Sequence, residues 1–206
     1  MSAMNTDSRQ DSRLILASAS RARMALLSNA GLDFEVLPAN IDEDALKREF
    51  AADSPAALAE KLASGKARHI SDNYPEALVI GADQILEFDG RLLSKPKSIE
   101  AAREQLSRMR GRTHHLISAV SLARHDKTVW TYSEKTNMTM RNFSDPFLDD
   151  YVARAGERLC ETVGAYQLES EGIQLFERIE GDFFTILGLP LLPLLQELRQ
   201  QQLLAP

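Results

Sequence analysis

Apolar residues along the chain fall into two kinds of run. Short continuous blocks, Leu14-Ile15-Leu16-Ala17 and Leu78-Val79-Ile80, read as buried strands, since they are too short for independent helices. Elsewhere apolar positions recur at intervals of three and four, as Leu58, Leu62 and Ala63 do, which is one face of a helix. The pattern predicts helices over residues 24–30, 42–50, 98–109 and 144–155, one that opens at Ser54-Pro55 and carries Lys61, Lys66 and Arg68 off its apolar face, and an amphipathic one from Leu191 that frays into Gln200-Gln201-Gln202. Asp42, Ser54 and Ser98 stand where N-caps belong, Pro55 and Pro146 suit first turns, and Gly31 and Gly111 suit helix ends. Strands are predicted over residues 14–17, 34–38, 78–86, 115–124, 129–141 and 173–179, with 181–187 extending the sheet. Asp89-Gly90 is a hairpin signal that returns the chain through Leu92 and Leu93. Interleaved helices and strands predict an α/β domain, and the hairpin with the late strands predicts a mixed sheet.

Length and charge then narrow the function. The 206 residues suffice for one sizeable domain, expected over residues 13–206 behind a flexible tail at residues 1–12. The net charge of −6 disfavours a protein that coats nucleic acid, while leaving room for a small anionic substrate in a cleft. The single cysteine, Cys160, has no activating base beside it in sequence and forms no intrachain disulfide, which fits a reducing cytoplasm. Residues 1–12 lack the apolar block of a signal peptide, and the apolar stretches are too short to span a bilayer.

Candidate chemistry concentrates in the first half. Ser18, Ser20, Arg21 and Arg23 lie between an apolar strand and a helix, where backbone N–H groups, hydroxyls and guanidinium groups converge on an anion. Asp83 interrupts an apolar strand, where a carboxylate is costly unless paired, bound to a metal or used in catalysis. Asp42-Glu43-Asp44 reads as a capped helix start or as a source of one oxygen ligand for a divalent cation. Lys66 on a helix and Lys95 before Pro96 read as solvated by default, with Lys95 the better positioned of the two. His114-His115 opens a strand, so the rings point to opposite faces and do not share a metal. No Walker loop, paired-cysteine motif or Gly-x-Ser-x-Gly is present.

Taken in order, these pieces resemble the Maf family of nucleoside triphosphate pyrophosphatases. The resemblance runs from about Leu14 to Leu198. It is carried by Leu14-Ile15-Leu16-Ala17-Ser18-Ala19-Ser20, Ile41-Asp42-Glu43, Leu62-Ala63-Ser64-Gly65-Lys66-Ala67 and Gly81-Ala82-Asp83. It continues through Lys95-Pro96, Gly164-Ala165-Tyr166, and Gly181 with Gly188-Leu189-Pro190-Leu191. It implies an elongated mixed β-sheet flanked by helices, like that of inosine triphosphate pyrophosphatases, with two lobes around a central cleft. It further implies hydrolysis of a nucleoside triphosphate, ordinary or modified, to monophosphate and pyrophosphate, with Mg²⁺ or Mn²⁺ as the divalent metal cation. A cytoplasmic homodimer is implied, with no nucleic acid polymer and no membrane as partner. Carried over by position, Asp83, Lys66 and Lys95 are catalytic, and Glu43 and Asp83 hold the metal. Ser18, Ser20, Arg23 and the lysines contact phosphates, while Ala22, Gln84 and Glu169 stand where the base is chosen. The chain departs from the family pattern at Ser20-Arg21-Ala22-Arg23, where the usual proline and first arginine are missing. Gln84 and Glu169 look like the branch acting on 7-methylguanosine triphosphate, whereas Ala22 lacks that branch's aromatic residue. Two other readings are a non-catalytic regulator of cell division or septum formation, as the family's older name suggests, and a sensor that binds nucleotide without turnover.

Overall fold

The computed structural model describes residues 13–50 and 52–205, so the tail expected over residues 1–12 lies outside the described residues. The chain opens with β1 (Leu14–Leu16), α1 (Arg21–Asn29), β2 (Glu35–Val36), α2 (Glu43–Glu49) and α3 (Pro55–Ser71). It continues through β3 (Leu78–Phe88), β4 (Arg91–Leu93), α4 (Ile99–Met109), β5 (Thr113–Arg124) and β6 (Lys127–Met140). It ends with α5 (Asp145–Ala155), β7 (Phe176–Glu180), α6 (Phe183–Ile186) and α7 (Leu191–Gln200). Local chemistry sets most helix starts. The side chains of Ser20, Asp42, Ser54, Ser98 and Ser144 each accept a hydrogen bond from the backbone N–H three residues on. Asp89 and Gly90, at φ 54° and 70°, make the tight turn between β3 and β4.

The strands form one mixed sheet in the order β2-β1-β3-β5-β6-β7, with β4 also on β3. β1 runs parallel to β2 and β3, and the remaining pairs are antiparallel. Even-numbered residues of β3 and β5 face two apolar clusters. Ile80, Ala82, Val120 and Leu122 pack with α1 and α7 through Leu27 and Leu194, and Leu86, Phe88 and Leu116 pack with α4 and α5 through Leu106 and Leu148. The opposite face is covered by α3, whose Leu58, Leu62 and Ala63 meet Ile85, Ile117 and Ala119.

Two segments differ from the sequence reading. Residues 171–175 form a 3₁₀ turn, so β7 starts at Phe176; Gly172 backs directly onto the Gln167 carbonyl, which holds the chain in the turn. Residues 181–187 do not extend the sheet. Gly181 sits at φ 148°, a Cβ there would lie 2.4 Å from Thr136 Cγ2, and Asp182 then caps α6 by accepting from Thr185 N at 2.8 Å.

Candidate active site

The strand pairing leaves a gap. β1 pairs with β3 only over Leu78–Ile80, and β4 pairs with the same edge only over Leu86–Phe88. Between them the edge of β3 from Gly81 to Ile85 has no neighbouring strand among the described residues. A cleft of about 560 Å³ opens there, and side chains from both faces of the sheet reach around the bare edge into it. It resembles the crevice where neighbouring strand connections diverge in open α/β sheets, a recurrent place for ligands.

Gly81 sets the geometry of one wall. A Cβ at this position would lie 2.1 Å from Ala63 O and 2.6 Å from Ala67 N, so only glycine lets α3 come this close to β3. The close approach carries Lys66 over Asp83. Lys66 Nζ donates to Asp83 Oδ1 at 2.6 Å and lies 2.7 Å from Glu43 Oε1, and both Lys66 and Asp83 are buried. The default reading of Lys66 as solvated is therefore corrected: α3 turns it inward, where two carboxylates offset the cost of burying its ammonium. Burial pushes the Glu43 carboxyl up, but the hydrogen bond from Lys66 and the charges of Lys66 and Lys47 outweigh it and hold the group below its ordinary range.

The first loop forms a second wall. Ser20 caps α1, which starts at Arg21 and not at residue 24, and Arg23 turns back from the first turn into the protein. Its Nε donates to Gly188 O at 2.8 Å, and its Nη1 donates to Ala82 O and to Ser18 Oγ, both at 3.0 Å. Arg23 is thus a brace tying β1, β3 and the turn at Gly188 together, with only its Nη2 uncommitted among the described residues. Burial pulls its pKa down, while Asp83 and Glu43 push it back up. Ser18 stands behind Arg23 and does not line the cleft, whereas Ser20, Ala22 and Arg23 do. Arg21 is exposed and stays outside the cleft.

The third wall carries Gln84 and residues 161–169. Gln84 Nε2 donates to Ser118 Oγ at 2.9 Å and to Ile186 O at 3.0 Å, so the amide nitrogen is committed and the carbonyl oxygen is what Gln84 has left to offer. Glu169 lines the same space, with Glu161, Thr162, Val163 and Tyr166. Lys95 and Lys97 enter from beyond β4, and Lys47 enters from α2. The lining is therefore mixed: Lys47, Lys66, Lys95 and Lys97 bring cations to the cleft, and Leu93, Leu116, Val163, Leu168 and Ile186 bring apolar surface.

Metal binding can be tested against the donor set. Glu43 and Asp83 offer hard carboxylate oxygens on either side of Lys66, and Asp83 Oδ2 makes no hydrogen bond among the described residues. No group of three or more His, Cys, Asp or Glu side chains forms a protein-only cage among those residues. One or two carboxylates, completed by water and phosphate oxygens, is the set that Mg²⁺ takes beside a polyphosphate, and these residues fit it.

Known proteins match this sequence over most of its length. The profile of the Maf-like protein family matches residues 13–201. The chain belongs to the Maf-like protein family. A 7-methyl-GTP pyrophosphatase of Rhizobium meliloti (strain 1021) is 53% identical over 91% of this chain and 95% of its own length. A nucleoside triphosphate pyrophosphatase of Nitrobacter hamburgensis is 50% identical over 96% of this chain and 98% of its own length. A 7-methyl-GTP pyrophosphatase of Brucella abortus is 47% identical over 92% and 96%.

In this Maf-like chain the structure brings nine of the ten residues to which the family resemblance gave site roles to one cleft: Glu43, Lys66, Asp83, Lys95, Ser20, Ala22, Arg23, Gln84 and Glu169. Sequence reasoning missed Lys47, Lys97 and Glu161. Lys47 had a usable signal, since it lies four residues after Glu43 and the pair meets at 3.6 Å. Glu161 had none, because its place depends on how the chain folds back from α5.

Proposed function

We propose that this chain is a nucleoside triphosphate pyrophosphatase, a hydrolase of acid anhydrides that clears unwanted nucleotides by releasing monophosphate and pyrophosphate. The observation that carries the reading is the bridged trio Glu43–Lys66–Asp83 at the bare edge of β3, in a cleft that Lys47, Lys95 and Lys97 also line. The relatives named above act on such substrates by name. With Arg23 the trio is two carboxylates and two cations, close to neutral. Lys47, Lys95 and Lys97 add the cations that a triphosphate would meet, while Asp44, Glu161 and Glu169 balance them over the cleft as a whole.

In this reading the triphosphate lies along the lysines and the nucleoside lies against the apolar surface. Lys66 fixes the direction of the Asp83 carboxylate through their 2.6 Å bond. Asp83 orients the attacking water through its free Oδ2 and accepts its proton as the P–O bond forms. Lys95 and Lys97 meet the negative charge on the departing pyrophosphate. Glu43 and Asp83 would hold Mg²⁺ or Mn²⁺, which supplies charge neutralisation at the phosphate oxygens when bound. Ser20 and the N-terminus of α1 face the phosphates, and Arg23 serves them by fixing that loop. Gln84 and the carboxylates of Glu161 and Glu169 read the base. Two acidic groups in this wall favour a base carrying positive charge, as N7-methylated guanine does. The wider reading is one domain with two lobes around the cleft, working as a cytoplasmic homodimer with no membrane or nucleic-acid partner. Among the described residues no helix is long and apolar enough to cross a membrane.

The test is pyrophosphate release with Mg²⁺ or Mn²⁺ over a panel of ordinary and methylated nucleoside triphosphates, beside Asp83→Asn. Turnover that the variant loses supports the reading. A folded wild type that turns over no member of the panel rejects it and leaves a nucleotide sensor.

A further inference from the structure

His114 is a buried polar side chain that the reaction does not use. It is fully excluded from solvent, its Nδ1 has no partner among the described residues, and its Nε2 shares a hydrogen bond of 2.7 Å with Tyr166 Oη. An imidazole costs more to bury than a leucine of similar size, and here all its polar capacity goes into one bond.

That bond reaches the cleft wall. His114, Leu116 and Ser118 alternate along β5 and point to one face of the sheet. Leu116 lines the cleft, and Ser118 Oγ accepts from Gln84 and donates to Thr185 O at 2.7 Å. The row therefore braces two parts of the site, the segment from Glu161 to Glu169 through His114 and the turn of α6 through Ser118. Tyr166 is the hub of that segment. Its N–H donates to Thr162 Oγ1 at 3.2 Å, and its carbonyl accepts from the same hydroxyl at 2.8 Å. Gly164 has no room for a Cβ, which would lie 2.4 Å from the Tyr166 ring, and Ala165 sits at φ 58°. The ring packs edge-on against Phe176 at 4.8 Å, and its hydroxyl has no partner other than His114 among the described residues. A strained turn thus folds around one aromatic ring, and the one polar bond fixing that ring comes from the central sheet.

We propose that His114 is a positioning residue for the nucleoside, acting through Tyr166 to set the wall formed by Thr162, Val163, Gly164, Gln167, Leu168 and Glu169. The proposal rests on the reading of this cleft as a nucleoside triphosphate site. It assigns His114 an effect on the nucleoside end and none on the phosphate end, where Lys47, Lys66 and Lys95 lie on other elements.

The test compares binding of GTP and 7-methyl-GTP with binding of inorganic triphosphate, which has phosphates and no nucleoside. Calorimetry is run on the wild type, Tyr166→Phe, His114→Leu and His114→Gln, with turnover measured beside it. Tyr166→Phe removes one atom and keeps the ring, so a usable variant remains even where His114→Leu folds poorly. The expected result is at least a fivefold loss of affinity for the better nucleotide in Tyr166→Phe and His114→Leu, seen as a raised KM with kcat within threefold. Inorganic triphosphate affinity stays within twofold, His114→Gln recovers part of the loss, and the double variant is no worse than the worse single one. Unchanged nucleotide affinity in Tyr166→Phe, or equal losses for nucleotide and inorganic triphosphate, overturns the proposal. Wild-type turnover with unchanged affinity in the variants rejects the positioning role alone. Selective weakening without wild-type turnover rejects the reaction and keeps the role. A wild type that binds no nucleotide rejects both.

Discussion

Replacing Gly81 with alanine tests the packing that brings the cleft together. The added Cβ would lie 2.1 Å from Ala63 O, 2.6 Å from Ala67 N and 2.9 Å from Ala67 Cβ, and all three partners belong to α3. No flexible side-chain end can yield there, so the helix must retreat from β3 by roughly 1 Å to reach ordinary contact distances. Overpacking of this kind costs about 1–3 kcal/mol. In a chain of this length, that lowers Tm by about 2–4 °C for each kcal/mol. The retreat also draws Lys66 away from Asp83, now 2.6 Å from its ammonium. A displacement of about 1 Å at a catalytic group can reduce turnover by about 10²-fold. Gly65→Ala, on α3 between Ala63 and Ala67, is the control. Its Cβ would meet Leu46 and Ile41 methyl groups at 3.6 and 3.7 Å, ordinary contacts. The gain in helix propensity there is about 0.8–1 kcal/mol. Thermal unfolding and pyrophosphate release are measured on both variants. The expected pattern is a lower Tm and a large loss of turnover for Gly81→Ala, with a slightly higher Tm and near-normal turnover for Gly65→Ala. A Gly81→Ala protein with wild-type Tm and turnover would refute the reasoning.

Lys66→Met leaves Glu43 and Asp83 without their shared cation; turnover should fall by about 10²-fold or more, and the acid limb of the rate profile should move to higher pH, because the bond that lowers the Glu43 pKa is gone. Burial holds His114 down to about 3, against 6.5 in the unfolded chain, so below pH 6.5 the unfolded state binds the extra proton and stability falls as pH drops. At pH 5 that amounts to about 2 kcal/mol, at about 1.4 kcal/mol per pH unit. Denaturant unfolding between pH 7 and 5 should show this slope, and His114→Leu should flatten it. Asp182→Ala removes the cap of α6, whose carbonyls at Thr185 and Ile186 hold Ser118 and Gln84. A stability loss of about 1 kcal/mol is expected. It should come with weaker discrimination between GTP and 7-methyl-GTP, read by competition.

How far the sequence carries depends on whether the governing chemistry is local. Asp42, Ser54, Ser98 and Asp89-Gly90 act on neighbours within three or four residues, and the helices and hairpin they signal stand where expected. Lys66 is different. Helical spacing alone set it apart from Leu58, Leu62 and Ala63, and its burial depends on Gly81 admitting α3 from another element. Arg23 had the composition of an anion ligand, yet its partners at Ala82 and Gly188 lie far along the chain and turn it into a brace. The apolar run at Phe183-Phe184-Thr185-Ile186 has strand composition, but the backbone at Gly181 and the cap at Asp182 make it a short helix. The His114–Tyr166 bond joins residues 52 apart, and no local pattern announces it.

The most direct test of the account is identification of the products. A nucleoside triphosphate from the panel is incubated with the wild type and Mg²⁺, and the phosphorus species are followed by nuclear magnetic resonance, with Asp83→Asn in parallel. The account predicts monophosphate and pyrophosphate in equal amounts, no orthophosphate, and loss of both products in the variant. Nucleoside diphosphate with orthophosphate, or turnover that survives Asp83→Asn, would contradict it.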